Sequence, residues 1–136
     1  IAIAAGAGFV ARSFAGDPRH LEAMIIAGMN HRGYALIDVL QPCVIFNKTN
    51  SYEWYRERVY DLKDGGHDPS DRETAWVIAH EWGDRIPIGV VYESGDRLSY
   101  EDEVTALKAG HPAAAAGKLA VNPHPEAYER FKKLFS

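Results

Sequence analysis

The chain has 136 residues, of which 46% are hydrophobic and 25% charged, with a formal net charge of −4 and a single cysteine. This length predicts one compact domain that folds without a disulfide. Lys and Arg are scattered through a mildly acidic sequence, which argues against nucleic acid as a partner. No apolar run approaches a membrane span, so we expect no membrane association and a cytoplasmic, reducing environment.

The first third of the chain predicts a strand, a helix and a second strand. The opening residues IAIAAG are typical of the last turns of a helix with Gly6 as its C-cap, so we expect the chain to enter a fold partway. Residues 8–14 are β-favouring, and Asp17 can cap a helix that begins at Pro18 and stops near Gly33. The predicted apolar stripe of that helix comprises Leu21, Met24, Ile25 and Met29.

Residues 34–40, YALIDVL, form a near-continuous apolar run. Such a run is typical of a strand buried on both faces of a parallel sheet, and with residues 8–14 it predicts a βαβ unit. Ligands gather at the carboxyl ends of parallel strands. If the two strands are neighbours, the loop around Arg19 and the loop from Gln41 to Asn47 share one rim.

Beyond residue 47 the pattern is less regular. Asn50 with Glu53 predicts a helix, and its stripe comprises Tyr52, Tyr55, Val59 and Leu62. Ser70 with Glu73 predicts another helix, with Ala75, Ile78, Ala79 and Trp82 on one side. Residues 86–92 predict a third strand, which Pro87 places at a sheet edge or starts at residue 88. The remaining predictions are a short helix over 99–108, an extended arm over 109–123 and a terminal helix over 125–135.

Several polar and aromatic groups have two interpretations. His67, Asp68 and Asp71 could bind a metal, but a polar loop followed by a helix cap explains them more simply. The aromatic side chains Tyr52, Trp54, Tyr55 and Tyr60 could stack on a cofactor, although packing is the commoner role of such a stripe. His31 and His111 have no spaced partner and are expected at the surface.

Cys43 and Arg19 are the candidate site residues that the pattern itself offers. Cys43 follows a predicted buried strand at the point where ligands bind, but a free cysteine also commonly serves as a small core hydrophobe. Arg19 lies in the first turn of a predicted helix, where free N–H groups attract anions. A solvated surface arginine is the alternative for Arg19.

Three strings resemble a known family: GFVARSFAGDPRHL, GYALIDVLQPCVIFN and SYEWYRERVYDL. In order and spacing they are similar to the C-terminal half of the β subunit of 2-oxoacid:ferredoxin oxidoreductases, thiamine-diphosphate enzymes that oxidatively decarboxylate 2-oxoacids to acyl-CoA. The likeness covers most of residues 1–95. It implies an α/β fold, a parallel sheet flanked by helices, with residues 1–47 the βαβ part of the thiamine-diphosphate-binding domain and residues 48–136 a C-terminal region with a variable tail.

The resemblance assigns roles to three residues. It implies that Cys43 is the fourth ligand of a [4Fe-4S] cluster that passes electrons to ferredoxin. It matches Arg19 to a basic residue that faces coenzyme A phosphates, and it marks Asn47 as a further cofactor-binding position. Phe46 and Asn47 resemble the branch acting on 2-oxoglutarate or a broad range of 2-oxoacids, whereas Ile45 stands where we expect Thr.

The family motifs for the other three cluster cysteines, Mg²⁺ and thiamine diphosphate do not occur in this sequence. The resemblance therefore implies that catalytic groups lie elsewhere, in the rest of the β subunit or in the α subunit, and that this chain alone is inactive and holds no cofactor. An uncovered parallel sheet also predicts self-association. The alternative function is a stand-alone α/β binding module in which Cys43 is structural.

Overall fold

A computed structural model describes residues 1–95, 97–99 and 102. Residues Ile1–Ser99 form one compact unit. Its elements are β1 (Phe9–Phe14), α1 (Pro18–Asn30), β2 (Ala35–Leu40), α2 (Tyr52–Arg56), β3 (Val59–Asp61), α3 (Arg72–Ala79) and β4 (Ile86–Glu93). The predictions for residues 99–108, 109–123 and 125–135 lie outside the described residues except at Ser99 and Asp102. The boundary predicted at residues 47 and 48 falls inside this unit and stays a prediction.

The four strands form one sheet in the order β2-β1-β4-β3. The pairs β1–β2 and β3–β4 are parallel, whereas β1 and β4 are antiparallel. The predicted α/β class and βαβ unit are confirmed. The antiparallel pair in the middle of the sheet is an addition to the predicted parallel arrangement.

The first residues form a tight helical turn that ends at Gly6. The Gly6 N–H donates to the Ile3 carbonyl at 3.2 Å, and the Ala7 N–H donates to the Ala2 carbonyl at 3.0 Å. Gly6 has a φ of +90°, the left-handed conformation that this kind of helix end requires. The predicted C-cap is therefore confirmed.

Helix α1 covers the sheet face that carries Phe9 and Ala11. Of its predicted stripe only Met24 is buried, whereas Ile25 and Met29 are exposed, so the stripe is wrong by part of a turn. The reason is a close approach at Gly28, where an added Cβ would meet Ile37 Cδ1 at 3.0 Å. Because Gly28 has no side chain, the helix can approach the sheet closely on its Gly28 side, and this side faces the sheet.

The predicted helix after Asn50 is shorter than its pattern. Ser51, not Asn50, caps α2, and its hydroxyl accepts the Trp54 N–H at 3.3 Å. The helix ends at Arg56, and Val59 lies in β3, where it pairs with Ile86. Sheet pairing over residues 59–61 overrides the helical period. The aromatic side chains of Tyr52, Trp54 and Tyr55 pack against a core cluster formed by Phe14, Leu40, Ile86 and Ile88.

Helix α3 covers the opposite face of the sheet. Asp71, not Ser70, is its N-cap, because the Asp71 carboxylate accepts the N–H groups of Glu73 and Thr74. Its predicted inner side is confirmed for three of the four residues. Ala75 is buried in a core cluster with Val10 and Val91, and Ile78 and Ala79 pack against that cluster. The fourth, Trp82, lies beyond the helix and is exposed.

Strand β4 lies between β1 and β3 and begins at Ile86, so both predicted alternatives, an edge position and a start at residue 88, are wrong. Pro87 is accommodated inside the strand because pairing with β1 ends at Gly89, which leaves no ladder bond to β1 for the missing proline N–H. His31 is also misplaced by the prediction. Its side chain is only 5% exposed and its ring lies 5.6 Å from that of Phe9.

Candidate functional site at the carboxyl ends of β1 and β2

The loops that follow β1 and β2 lie at the same edge of the sheet, as predicted. Phe14 pairs in register with Leu40, and the Ala15 N–H donates to the Leu40 carbonyl at 3.0 Å. One loop runs from Ala15 into the first turn of α1 and carries Arg19, and the other runs from Gln41 to Ser51 and carries Cys43. We call these two loops the carboxyl-end rim.

Cys43 is exposed on this rim, three residues after the end of β2. The backbone N–H groups of Phe46 and Ile45, with a lesser contribution from Asn47, hold the pKa of Cys43 below its ordinary value, and desolvation opposes them. N–H groups aimed at a sulfur stabilise the thiolate, which is the form that binds metals. Because the Cys43 side chain is exposed, its interpretation as a core hydrophobe is wrong.

Asn47 closes the turn that presents the thiol. Its N–H donates to the Cys43 carbonyl at 2.9 Å. Its side-chain oxygen accepts the N–H groups of Thr49 and Asn50, both at 3.0 Å. The side chain thus organises the loop, and the three residues before it, Val44, Ile45 and Phe46, present exposed apolar side chains beside the thiol.

Arg19 is exposed in the first turn of α1. Asp17 caps this helix by accepting the His20 N–H at 3.1 Å, and Pro18 occupies the first helical position. The loop before the cap is tight: the Asp17 N–H donates to the Phe14 carbonyl at 2.9 Å. A cation beside free helix N–H groups favours an anion at this place.

Beneath the rim lies a polar cluster that the sequence analysis missed. Ser13 is fully buried, and its hydroxyl lies 2.7 Å from His20 Nδ1. His20 Nε2 is buried without a hydrogen-bond partner among the described residues and lies 3.9 Å from Asp61 Oδ2. The order Ser–His–Asp resembles that of hydrolases, but the buried Ser13 hydroxyl offers no accessible nucleophile.

A sequence signal for part of this cluster existed. Ser13 falls on the same strand face as Phe9 and Ala11, so a polar group there required a buried partner. His20 lies four residues before Met24 and therefore on the inner side of α1. No sequence pattern pointed to Asp61, because only the pairing of β3 with β4 brings it near His20.

An open groove of about 800 Å³ runs beside β2 on the face that α3 covers elsewhere. Its lining is mostly apolar, with residues of the N-terminal turn and of both parallel strands. Arg12 crosses it: its Nε donates to Asp38 Oδ2 at 2.8 Å, and its guanidinium lies 5.9 Å from the Trp82 ring centre. The groove and the edge strand form one uncovered apolar surface.

The loop with His67, Asp68 and Asp71 is a turn followed by a helix cap, the simpler of its two interpretations. Asp68 accepts hydrogen bonds from Ser70, which lower the pKa of Asp68. Asp71 is engaged as the α3 cap. Among the residues that the structure describes, no three His, Cys, Asp or Glu side chains come together as a metal-binding group.

A polar pocket of about 430 Å³ adjoins this loop. There the Tyr60 hydroxyl donates to Glu81 Oε2 at 2.6 Å, and the Arg85 guanidinium lies over the Tyr60 ring at 4.4 Å. Burial, together with the Glu81 carboxylate, raises the pKa of Tyr60 to about 12. Tyr60 is therefore a neutral donor that ties β3 to the residues after α3.

None of the described helices has the length and apolar character needed to cross a bilayer.

Residues 43–109 match a family profile that describes the C-terminal region of the pyruvate ferredoxin oxidoreductase beta chain. The sequence is 42% identical to a 2-oxoacid:ferredoxin oxidoreductase subunit beta of Sulfolobus sp, over 83% of this chain and 39% of that protein. It is 35% identical to the beta subunit of 2-oxoacid:ferredoxin oxidoreductase 2 of Aeropyrum pernix, over 97% of this chain and 47% of that protein. The chain thus spans less than half the length of these curated relatives.

A solved structure shares the fold at 24% identity and a TM-score of 0.66, over 98% of this chain and 42% of the other. It is a 2-oxoglutarate:ferredoxin oxidoreductase from Magnetococcus marinus with 2-oxoglutarate, coenzyme A and succinyl-CoA bound. At this identity the likeness establishes the fold alone.

Proposed function

Because this chain is related to the β subunits of 2-oxoacid:ferredoxin oxidoreductases, as its resemblance to them predicted, we propose that it acts as part of such a subunit. The complete enzyme would oxidise a 2-oxoacid, 2-oxoglutarate or a broader range, to an acyl-CoA and pass the electrons to ferredoxin. The observation that carries the proposal is Cys43, whose exposed thiol lies on the rim three residues after β2, in a turn that the Asn47 N–H closes. The homology favours this function over a stand-alone binding module.

Cys43 fits the role of one ligand of a [4Fe-4S] cluster. Such clusters are held by four cysteine thiolates, and hydrogen bonds to sulfur tune their potential. The rim offers one exposed thiol whose pKa is lowered by neighbouring backbone N–H groups. When bound, the cluster supplies one-electron transfer. The chain's own contribution is to hold one thiolate at the rim, and the remaining ligands must come from outside this sequence, which has one cysteine.

Arg19 and Asn47 complete the proposed rim. The Arg19 guanidinium and the helix N–H groups of α1 suit a phosphate of coenzyme A. Support comes from the fold neighbour, which has coenzyme A bound. Asn47 would act by holding the Cys43 turn in shape, since its side-chain oxygen is engaged by two loop N–H groups.

Thiamine diphosphate and Mg²⁺ belong to the proposed enzyme, but we identify no set of residues that would bind them in the described part of this chain. We therefore assign no step of the reaction to residues here beyond the thiolate and the anion contact. The α subunit, ferredoxin and a cytoplasmic location are further parts of the proposal. Alone, the chain is expected to be inactive and to hold neither the cluster nor thiamine diphosphate.

The test is Cys43→Ser in the complete enzyme, with Val44→Ala as the matched control on the same turn. We expect Cys43→Ser to lose the visible absorption and low-temperature EPR signal of one cluster and to abolish ferredoxin reduction. Val44→Ala, which leaves the thiol and its N–H donors, should keep both. A Cys43→Ser enzyme with a full complement of iron and normal ferredoxin reduction would overturn the proposal.

Coenzyme A binding has a separate test. In the same enzyme, Arg19→Ala should raise the KM for coenzyme A while leaving the KM for the 2-oxoacid unchanged, because only the anion contact is removed. Arg56→Ala, a substitution of an exposed arginine in the last turn of α2, is the control. An unchanged KM for coenzyme A in Arg19→Ala would remove Arg19 from the site.

A further inference from the structure

The cluster of Ser13, His20 and Asp61 lies beneath the first turn of α1, which carries Arg19. Ser13 is the penultimate residue of β1 and is inaccessible to solvent. A buried hydroxyl requires a partner, and His20 Nδ1 provides it at 2.7 Å. This contact joins the end of the strand to the first turn of the helix across the intervening loop.

His20 is held from two sides. Its backbone N–H donates to the Asp17 side chain at 3.1 Å, while its ring meets Ser13. Together the two contacts restrain residues 14–19, the segment between Ser13 and His20. The loop is further confined at Gly16, where an added Cβ would come 2.3 Å from the Phe14 ring.

The far side of the His20 ring faces Asp61 across β4. Asp61 reaches this place because Gly89 beneath it has no side chain: a Cβ at Gly89 would lie 3.3 Å from Asp61 Oδ1. The 3.9 Å between His20 Nε2 and Asp61 Oδ2 exceeds a hydrogen bond. The short contact with Ser13 is therefore the one that fixes the ring.

We propose that His20 is a positioning residue for the carboxyl-end rim: its hydrogen bond to the buried Ser13 hydroxyl fixes the first turn of α1 and with it Arg19. This rests on the proposed function, because it is Arg19 that would meet the coenzyme A phosphate. His20 itself is nearly buried and does not reach the rim surface. His20 instead determines the position in which the Arg19 guanidinium is held.

Two variants separate the ring nitrogens. Asn places a hydrogen-bonding atom near the position of Nδ1, so His20→Asn can keep the contact with Ser13. Gln places its terminal group near the position of Nε2, so His20→Gln loses that contact and keeps the side facing Asp61. Ser13→Ala removes the partner instead and should reproduce His20→Gln. His80→Gln, a substitution of the exposed histidine at the C-cap of α3, is the control.

The first measurement is backbone hydrogen exchange in the 136-residue chain. We expect the hydrogen-bonded amides of Asp17, His20 and Leu21 to exchange about fivefold faster in His20→Gln and Ser13→Ala, the factor that one lost hydrogen bond carries, and to match the parent chain in His20→Asn. Cooperative unfolding of each variant shows that the fold is intact. Unchanged exchange in folded His20→Gln and Ser13→Ala would overturn the positioning role, whatever the enzyme does.

The second measurement is made in the complete enzyme. His20→Gln should raise the KM for coenzyme A by about fivefold with kcat changed less than about twofold, and His20→Asn should restore it. If Arg19→Ala raises this KM but His20→Gln does not, the positioning proposal fails and the Arg19 assignment stands. If neither changes it, the assignment of coenzyme A to Arg19 fails, and the functional part of this proposal fails with it.

Discussion

Strands β1 and β2 run side by side, yet they have opposite environments. In β1 every residue except Arg12 is buried, whereas in β2 only Leu40 is buried and Val39 is 38% exposed. The β2 sequence ALIDVL is no less apolar than FVARSF. The comparison teaches that an apolar run does not by itself establish burial: the described residues cover the inner strands β1 and β4 but leave the edge strand β2 largely uncovered.

Substitution of two phenylalanines gives the strongest test of this difference in burial. Phe14, on β1, is 2% exposed, and Phe46, beyond the end of β2, is 90% exposed. We expect Phe14→Ala to lower the free energy of unfolding by about 3–5 kcal/mol and Phe46→Ala to change it by less than about 0.5 kcal/mol. Urea unfolding of the two variants measures this. Equal losses would mean that the turn after Cys43 is covered in solution.

A smaller effect is expected at the glycine inside β4. Gly89 has a φ of +118°, and a Cβ there would crowd Asp61 and Leu62. Gly89→Ala should therefore cost about 1–3 kcal/mol of unfolding free energy. Gly95→Ala is the control, because an added Cβ there meets nothing within 4 Å. A tolerated Gly89→Ala would show that the inner strand relaxes more than its burial indicates.

The edge strand gives a prediction about association. We expect the chain to self-associate through β2 and the groove beside it, and Val39→Lys to reduce this, because a charge on an exposed edge opposes strand pairing. The stability of the monomer should change by less than about 0.5 kcal/mol. Sedimentation at increasing concentration measures the association. A monomeric parent chain at high concentration would contradict the expectation.

The smallest effect concerns the cap of α3, the helix that covers the inner strands. Hydrogen bonds from the Thr74 hydroxyl and backbone N–H lower the pKa of Asp71 below its ordinary value. A lowered pKa stabilises the fold above the unfolded value and loses this contribution as the pH falls through the folded value. Asp71→Asn keeps a cap that does not titrate.

The thermal midpoint of Asp71→Asn should therefore fall less steeply than that of the parent chain as the pH drops below the ordinary aspartate pKa of about 3.9. Asp17→Asn, at the cap of α1, is the comparison on the other face of the sheet. Identical acid profiles of parent and Asp71→Asn would contradict the role of this carboxylate.

How much could be predicted depended on how local the determinants were. The cap at Asp17, the turn at Gly6 and the rim of Cys43 follow from neighbouring residues, and they were predicted. The short β3 was missed because Val59 fits a helical pattern in the sequence, whereas in the structure it pairs with Ile86, far along the chain. The inner face of α1 was misjudged because Gly28 allows an approach that hydrophobic periodicity does not register.

Tertiary contacts also explain the errors in the site. Asp61 and His20 meet only after β3 and β4 have paired, so no spacing in the sequence could join them. His31 was expected at the surface but lies over Gly8, where an added Cβ would come 2.5 Å from its Nε2. Both cases involve a glycine whose missing side chain makes room for a polar ring or carboxylate.

The antiparallel ladder between β1 and β4 has a kinetic consequence. Phe9 pairs with Glu93, so the central seam of the sheet joins two strands that lie far apart in the sequence. Closing so long a loop is entropically costly and slows folding, whereas β1, α1 and β2 make contacts close in sequence. During synthesis the βαβ unit can form early, but the sheet can close only once residue 93 has left the ribosome. A chain truncated before β4 would leave β1 with an open edge on its second side.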